Sequence, residues 1–184
     1  MAVSLDLIED AWLLESPRAI AEVVRSHSAD IFYGAAFWLF YCDYSQILTP
    51  ALGLNSESFV TFHEDEGDRW SDRWVPAEWH WPVLDRACNS MKPAYARISE
   101  SMEGASRAEW DQLIVAHDQM IARVARSLTA MSEGGTRQFA NIPVAKYFVV
   151  AAIDDQRDEK EYNKLVRLSV APDRLQQLEG LIRE

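Results

Sequence analysis

Ile31-Phe-Tyr-Gly-Ala-Ala-Phe-Trp-Leu-Phe-Tyr41 is the stretch on which the fold turns. Alternate positions place Ile31, Tyr33, Phe37 and Leu39 on one face, and Phe32, Gly34, Ala36 and Trp38 on the other. Both faces are apolar, which predicts a central strand covered from both sides. Gly34 and Ala36 would let a neighbouring element come close on one of them.

Reading outward, Asp43-Tyr44-Ser45 forms a turn into an antiparallel partner strand over 46–54, which Pro50 would push toward an edge or a bulge. Residues 56–64 fit a short helix or a short strand equally well. Lys146 to Ile153 reads as a second strand with apolar residues on both faces. Residues 4–27 carry a helical stripe of Leu5, Ile8, Ala11, Trp12, Ile20, Val23 and Val24. Ser16-Pro17 interrupts that stripe, because Ser suits an N-cap and Pro a first turn, and a second helix is expected to begin there. From Pro82 to Met102 helical spacing runs straight through Pro93, where a kink is expected. Arg107 to Met131 is the clearest helix, opened by a capping-box pattern at Ser106 and Glu109 and closed by Gly134-Gly135. Asp158 with Glu161 marks a further helix start, and Pro172 opens a terminal helix carrying Leu175, Leu178 and Ile182. No internal repeat or linker divides residues 1–184. The expectation is one α+β domain, a small and mostly antiparallel sheet packed with several helices.

Composition narrows the functions open to it. Lys and Arg number 18 against 29 Asp and Glu, a net charge of −11, which argues against a nucleic-acid binder and against adhesion to an anionic membrane. Asp6, Glu9 and Asp10 stand where a secretory signal would carry basic residues. The longest apolar run, 31–42, falls short of the roughly 20 residues that span a bilayer. Cys42 and Cys88 form no CxxC pair. They read as two reduced thiols of a cytoplasmic protein, with a single disulfide as the alternative.

No nucleophile elbow, phosphate loop, dinucleotide fingerprint or zinc-protease motif is present. The acidic stretch His63-Glu-Asp-Glu-Gly-Asp68 fails as a calcium loop, since aligning Gly67 with the invariant glycine puts Phe62 at the first ligand position. A looser carboxylate site with His63 at its margin competes with the plainer reading, a solvated acidic loop. No metal or cofactor is therefore assigned. His117 sits on the apolar stripe of its helix and is either a general base near a cleft or a neutral histidine hydrogen-bonded in the core. Asp154-Asp155 follow a buried strand, where functional acids and polar turns both occur.

The strongest anomaly is the tryptophan cluster. Arg69-Trp70 and Arg73-Trp74 recur four residues apart, and Trp79 and Trp81 flank His80. Trp and Arg are the residues of binding hot spots, so Arg69, Trp70, Arg73, Trp74, Trp79 and Trp81 are the partner-binding candidates. The plainer reading is that these rings cover one end of the sheet.

The strand 32–41, the hairpin on to Gly53-Leu-Asn55-Ser-Glu57, Arg73-Trp74-Val-Pro76-Ala-Glu78-Trp79 and Phe148-Val-Val-Ala-Ala-Ile-Asp-Asp155 follow one another in order. Together they resemble the bacterial DUF4303 family, a domain of unknown function, over most of the chain. The Pro-Ala-Glu-Trp segment is the most specific element of the resemblance. Pro17 and the dense Trp70 to Trp81 stretch stand apart from the family pattern. The family brings no established activity, so the resemblance implies the α+β domain and assigns no functional residue.

Two functions of different classes follow. The first is a soluble acidic protein-binding domain that takes a basic protein partner, such as an immunity-type inhibitor of a cognate toxin. The second is a small hydrolase or metal-dependent enzyme at the end of the sheet, drawing on His63, Glu64, Asp65, His80 and His117. A homo-oligomer that uses the Trp patch as its own interface is a third arrangement.

Overall fold

The decisive stretch forms strand β1 (Phe32–Trp38), and all but its last residue are buried. In the computed structural model the described residues are 4–40, 43–59, 74–76, 79, 81–82, 85–134, 139, 142, 144–176, 178 and 181–182, with the backbone alone described for 81–82 and 85–88. β1 pairs antiparallel with β2 (Ala51–Ser56) and parallel with β4 (Val144–Ile153). The two-residue β3 (Trp81–Pro82) adds antiparallel to β2, so the order is β3-β2-β1-β4. The sheet is therefore mixed. β1 and β4 run the same way because the chain between them crosses over through helices rather than turning back in a hairpin.

The partner strand begins later than its sequence suggests, at Ala51 instead of residue 46. Pro50 has no N–H to give a ladder and stands just before it. β2 is flanked on both sides, so Pro50 does not make it an edge. Residues 57–59 are helical, and 60–64 lie outside the described residues.

The register between β1 and both neighbours shifts between Phe32 and Gly34. This irregularity reassigns the faces. Phe32, Ala35, Phe37 and Leu39 join one core, whereas Tyr33 and Ala36 join the other. Strict alternation would have put Tyr33 beside Phe37, but one irregular step flips every side chain before it.

Helix α1 (Leu5–Ser26) is a single helix with Pro17 inside it, so no second helix begins there. Burial of Trp12, Ser16, Pro17 and Ile20 holds the turn together although Pro17 gives no hydrogen bond to the preceding turn. Helix α2 (Asp85–Ser101) likewise continues through Pro93. Helix α3 (Arg107–Glu133) opens with the expected capping box, the Ser106 N–H donating to Glu109 Oε2 at 2.7 Å, and closes at Gly134. Asp158 caps helix α4 (Glu159–Ser169), while helix α5 (Pro172–Leu175) is only a turn, shorter than the terminal helix expected.

Both faces of the sheet are covered. On one, Trp12, Ile20, Val24, Tyr95, Met120 and Val124 from α1, α2 and α3 pack on Phe37, Phe148, Val150 and Ala152. On the other, Trp74, Trp79, Tyr162, Val166 and Leu181 pack on Tyr33, Ala36, Val149, Ala151 and Ile153. No helix among the described residues is long and apolar enough to cross a membrane.

Candidate functional site

Because β1 and β4 are parallel, their carboxyl ends open side by side, and there the chain leaves a cleft of about 430 Å³. Open sheets with parallel strands bind ligands beyond these ends. Leu39 and Phe40 follow β1, Asp154, Gln156 and Arg157 follow β4, and α3 contributes Ile114, Val115, His117 and Asp118. The segment after β1 closes the side with Tyr44, Ile47 and Leu48. That segment also separates this cleft from a second hollow of about 550 Å³ against α2, and the Ile47 N–H donating to Ser99 Oγ at 3.0 Å pins it in place.

The floor is an ion cluster. Arg157 donates Nη1 and Nη2 to the two oxygens of Asp118 at 2.7 and 2.9 Å, and Nε to Asp154 Oδ2 at 2.7 Å. The first pair is bidentate, the geometry a guanidinium offers a carboxylate. Asp154, 2% exposed, also accepts the Gln156 N–H and so shapes the turn out of β4. Burial raises the Asp154 carboxyl above its usual range, although Arg157 opposes the shift. Burial alone would lower the Arg157 pKa, but Asp118 and Asp154 together carry it above its ordinary value. Asp155, its neighbour, accepts from the Trp38 indole.

His117 sits beside this cluster. It is 5% exposed, and Nε2 lies 3.0 Å from the Tyr95 hydroxyl, which in turn accepts the Trp12 indole N–H at 3.2 Å. Burial, with the charge of Arg157 adding to it, lowers the pKa from 6.5 to about 4, so the ring is neutral at pH 7. The reading of His117 as a neutral, hydrogen-bonded core residue holds, and the ring also lines the cleft. At the mouth, Tyr44 has a left-handed backbone with φ of 64°, an uncommon state for a residue with a side chain. Arg107 holds it, lying 4.7 Å over the ring and donating to its hydroxyl at 3.2 Å.

The other sequence candidates fall elsewhere. Trp74 and Trp79 are 2% and 6% exposed and form part of the second core, so their rings cover the sheet. Trp81 lies in β3 by its backbone. Arg69, Trp70, Arg73, His63, Glu64, Asp65 and His80 lie outside the described residues. No group of three or more His, Cys, Asp or Glu able to hold a metal occurs among the described residues. Of the earlier candidates, the structure brings His117 and Asp154 to one cleft. Asp118 and Arg157 escape a sequence reading, although Asp118 adjoins His117 and Arg157 stands three residues after Asp154. Tyr44 carries no local signal at all, because its role comes from a contact with Arg107 across 63 positions.

Compared with protein-family models, characterised proteins and solved structures, the chain finds no match in any of the three.

Proposed function

We propose that the chain is an acidic protein-binding domain that captures a basic partner, in its specific form an immunity-type inhibitor of a cognate toxin and a member of DUF4303. The observation that carries the reading is the charge of the cleft. Among the described residues, Asp111, Asp118, Asp154, Asp158 and Glu161 line it against the guanidinium of Arg157, which is already engaged by two of them. The net charge of −11 supports the same reading, since an acidic field steers and accelerates encounter with a basic protein.

The hydrolase reading draws on the same cleft, where His117 and Asp154 stand at the end of the sheet. It ranks second because the carboxylates of the floor are held by Arg157 and the imidazole by Tyr95.

The test is capture of a partner by the full chain at low and at raised ionic strength, from about 0.05 to about 0.3 M, across which surface attraction is strongly screened. A stoichiometric basic protein, weakened by salt and lost in the doubly reversed variant Asp111→Lys/Glu161→Lys, supports the reading. An empty capture by folded protein, or a partner indifferent to both salt and reversal, overturns it. Trp74→Ala is unsuited to this test, because it would open a hole in the core.

A further inference from the structure

We infer that residues 44–49, the segment between the two hollows, form a hinged strap that opens while the rest of the fold stays intact and joins the hollows into one trench. This goes beyond the binding reading and does not depend on it.

The strap is sparsely bonded. Among the described residues, 43–49 take part in no backbone-to-backbone hydrogen bond, although they connect the paired strands β1 and β2. The main chain of the strap is instead tied across to α2 by the Ile47 N–H, which donates to Ser99 Oγ at 3.0 Å. Ser45, Gln46 and Leu48 are exposed, whereas Ile47, 6% exposed, is seated in the core. Segments with few buried apolar contacts and few internal bonds open at a free energy well below that of global unfolding.

Both flanks of the strap are open. Phe40, Ile47 and Leu48 line both hollows, so this layer of side chains divides them. His117 lines one hollow and Tyr95 the other, and the two side chains are hydrogen-bonded at 3.0 Å. Withdrawing Ile47 therefore opens a continuous trench that contains the Tyr95–His117 pair.

The two ends of the strap differ in kind. At one end Pro50 is buried and its ring fixes φ, which makes a firm anchor. At the other, Tyr44 is held at a φ of 64°, a left-handed state that costs a residue with a side chain free energy which opening returns. Arg107 latches that end, stacking 4.7 Å over the Tyr44 ring and donating to its hydroxyl at 3.2 Å. Arg107 is exposed and belongs to α3, so the latch is a surface contact that can break while the core stays closed.

The experiment is native-state amide exchange of the full chain by NMR at a series of low urea concentrations, comparing Ile47 with Ala36 and Phe37 of β1. Local opening exposes little surface, so exchange at Ile47 is expected to be nearly independent of urea. Exchange at Ala36 and Phe37 should climb steeply with urea, because it requires global unfolding. Protection of Ile47 is expected to lie at least about a hundredfold below theirs. Arg107→Ala, an exposed change, should quicken exchange at Ile47 by about fivefold, the worth of an exposed cation–π contact, and leave Ala36 and Phe37 unmoved. Exchange at Ile47 that rises with urea in step with the β1 amides overturns the inference, since the strap then opens only with the whole fold. Arg107→Ala that leaves Ile47 unmoved, or that quickens Ile47 and the β1 amides alike, overturns the latch.

Discussion

Gly34 shows how one missing atom sets the packing of a face. A Cβ there would come within 2.8 and 2.9 Å of two ring carbons of Trp74, closer than carbon atoms tolerate. Trp74 has little freedom to retreat, since it packs edge-on against Tyr33 at 5.4 Å and against Trp79 at 6.0 Å between ring centres. Gly34→Ala should therefore cost about 1–3 kcal/mol, the range of core overpacking, measured by urea unfolding. Adding Trp74→Phe should return part of that loss, so that the double variant is more stable than the sum of the single changes predicts. His117 makes a pH-dependent contribution at the same scale. Its folded pKa of about 4 lies below the ordinary 6.5, so between these values the unfolded chain binds the extra proton. Stability carried by the neutral ring is whole above pH 6.5 and falls as the pH drops toward 4, by about 2 kcal/mol between pH 7 and 5. Asp154, with its pKa raised, acts in the opposite sense, losing stability as the pH rises through its titration. Comparing unfolding curves of the wild type and His117→Gln at both pH values isolates the histidine. An unchanged pH slope in the variant would reject the assignment.

At the scale of the element, the outer edge of β4 shows how this fold closes a strand that pairs on one side only among the described residues. β4 is the last strand of the sheet, and edge strands invite unwanted pairing. Here helix hydroxyls take the place of a fifth strand. Thr129 Oγ1 accepts the Val150 N–H and Ser169 Oγ accepts the Ala152 N–H, both at 2.9 Å. Each hydroxyl gives its own hydrogen to a helix carbonyl, of Ala125 and Val166 respectively. Ser169→Ala should strand the buried Ala152 N–H and cost about 1–3 kcal/mol. Amide exchange at Ala152 should quicken with it, while Thr129→Ser, which keeps its hydroxyl, should change little. The helices themselves were legible in sequence because their signals are local. Ser106 with Glu109 and Asp158 with Glu161 form their caps within four residues. Pro17 misled because a proline inside a helix costs about 3 kcal/mol in isolation. That cost is offset here by packing that no local pattern displays.

At the scale of the whole molecule, the proposed recognition is electrostatic, and the cleft it would use stands on an apolar scaffold. The exposed pairs Arg18–Glu15 and Lys164–Glu161 add little to stability, as solvent screens them. The Asp154–Arg157–Asp118 cluster differs because it is largely buried and ties β4 to α3. Local pattern and composition were enough to read an acidic α+β domain, residues 32–38 as a central strand buried on both faces, and the place of most helices. Periodicity, caps and net charge are properties of contiguous residues or of composition, so they survive without a fold. The parallel pairing of β4 with β1, the register shift after Phe32 that exchanges the faces, and the burial of Trp74 and Trp79 became visible in the folded chain alone. The same is true of the cleft, which gathers Tyr44, His117, Asp118, Asp154 and Arg157. The reason is physical: each of these depends on pairings between residues tens to more than a hundred positions apart, and the free energy of such a contact belongs to the assembled fold rather than to either segment.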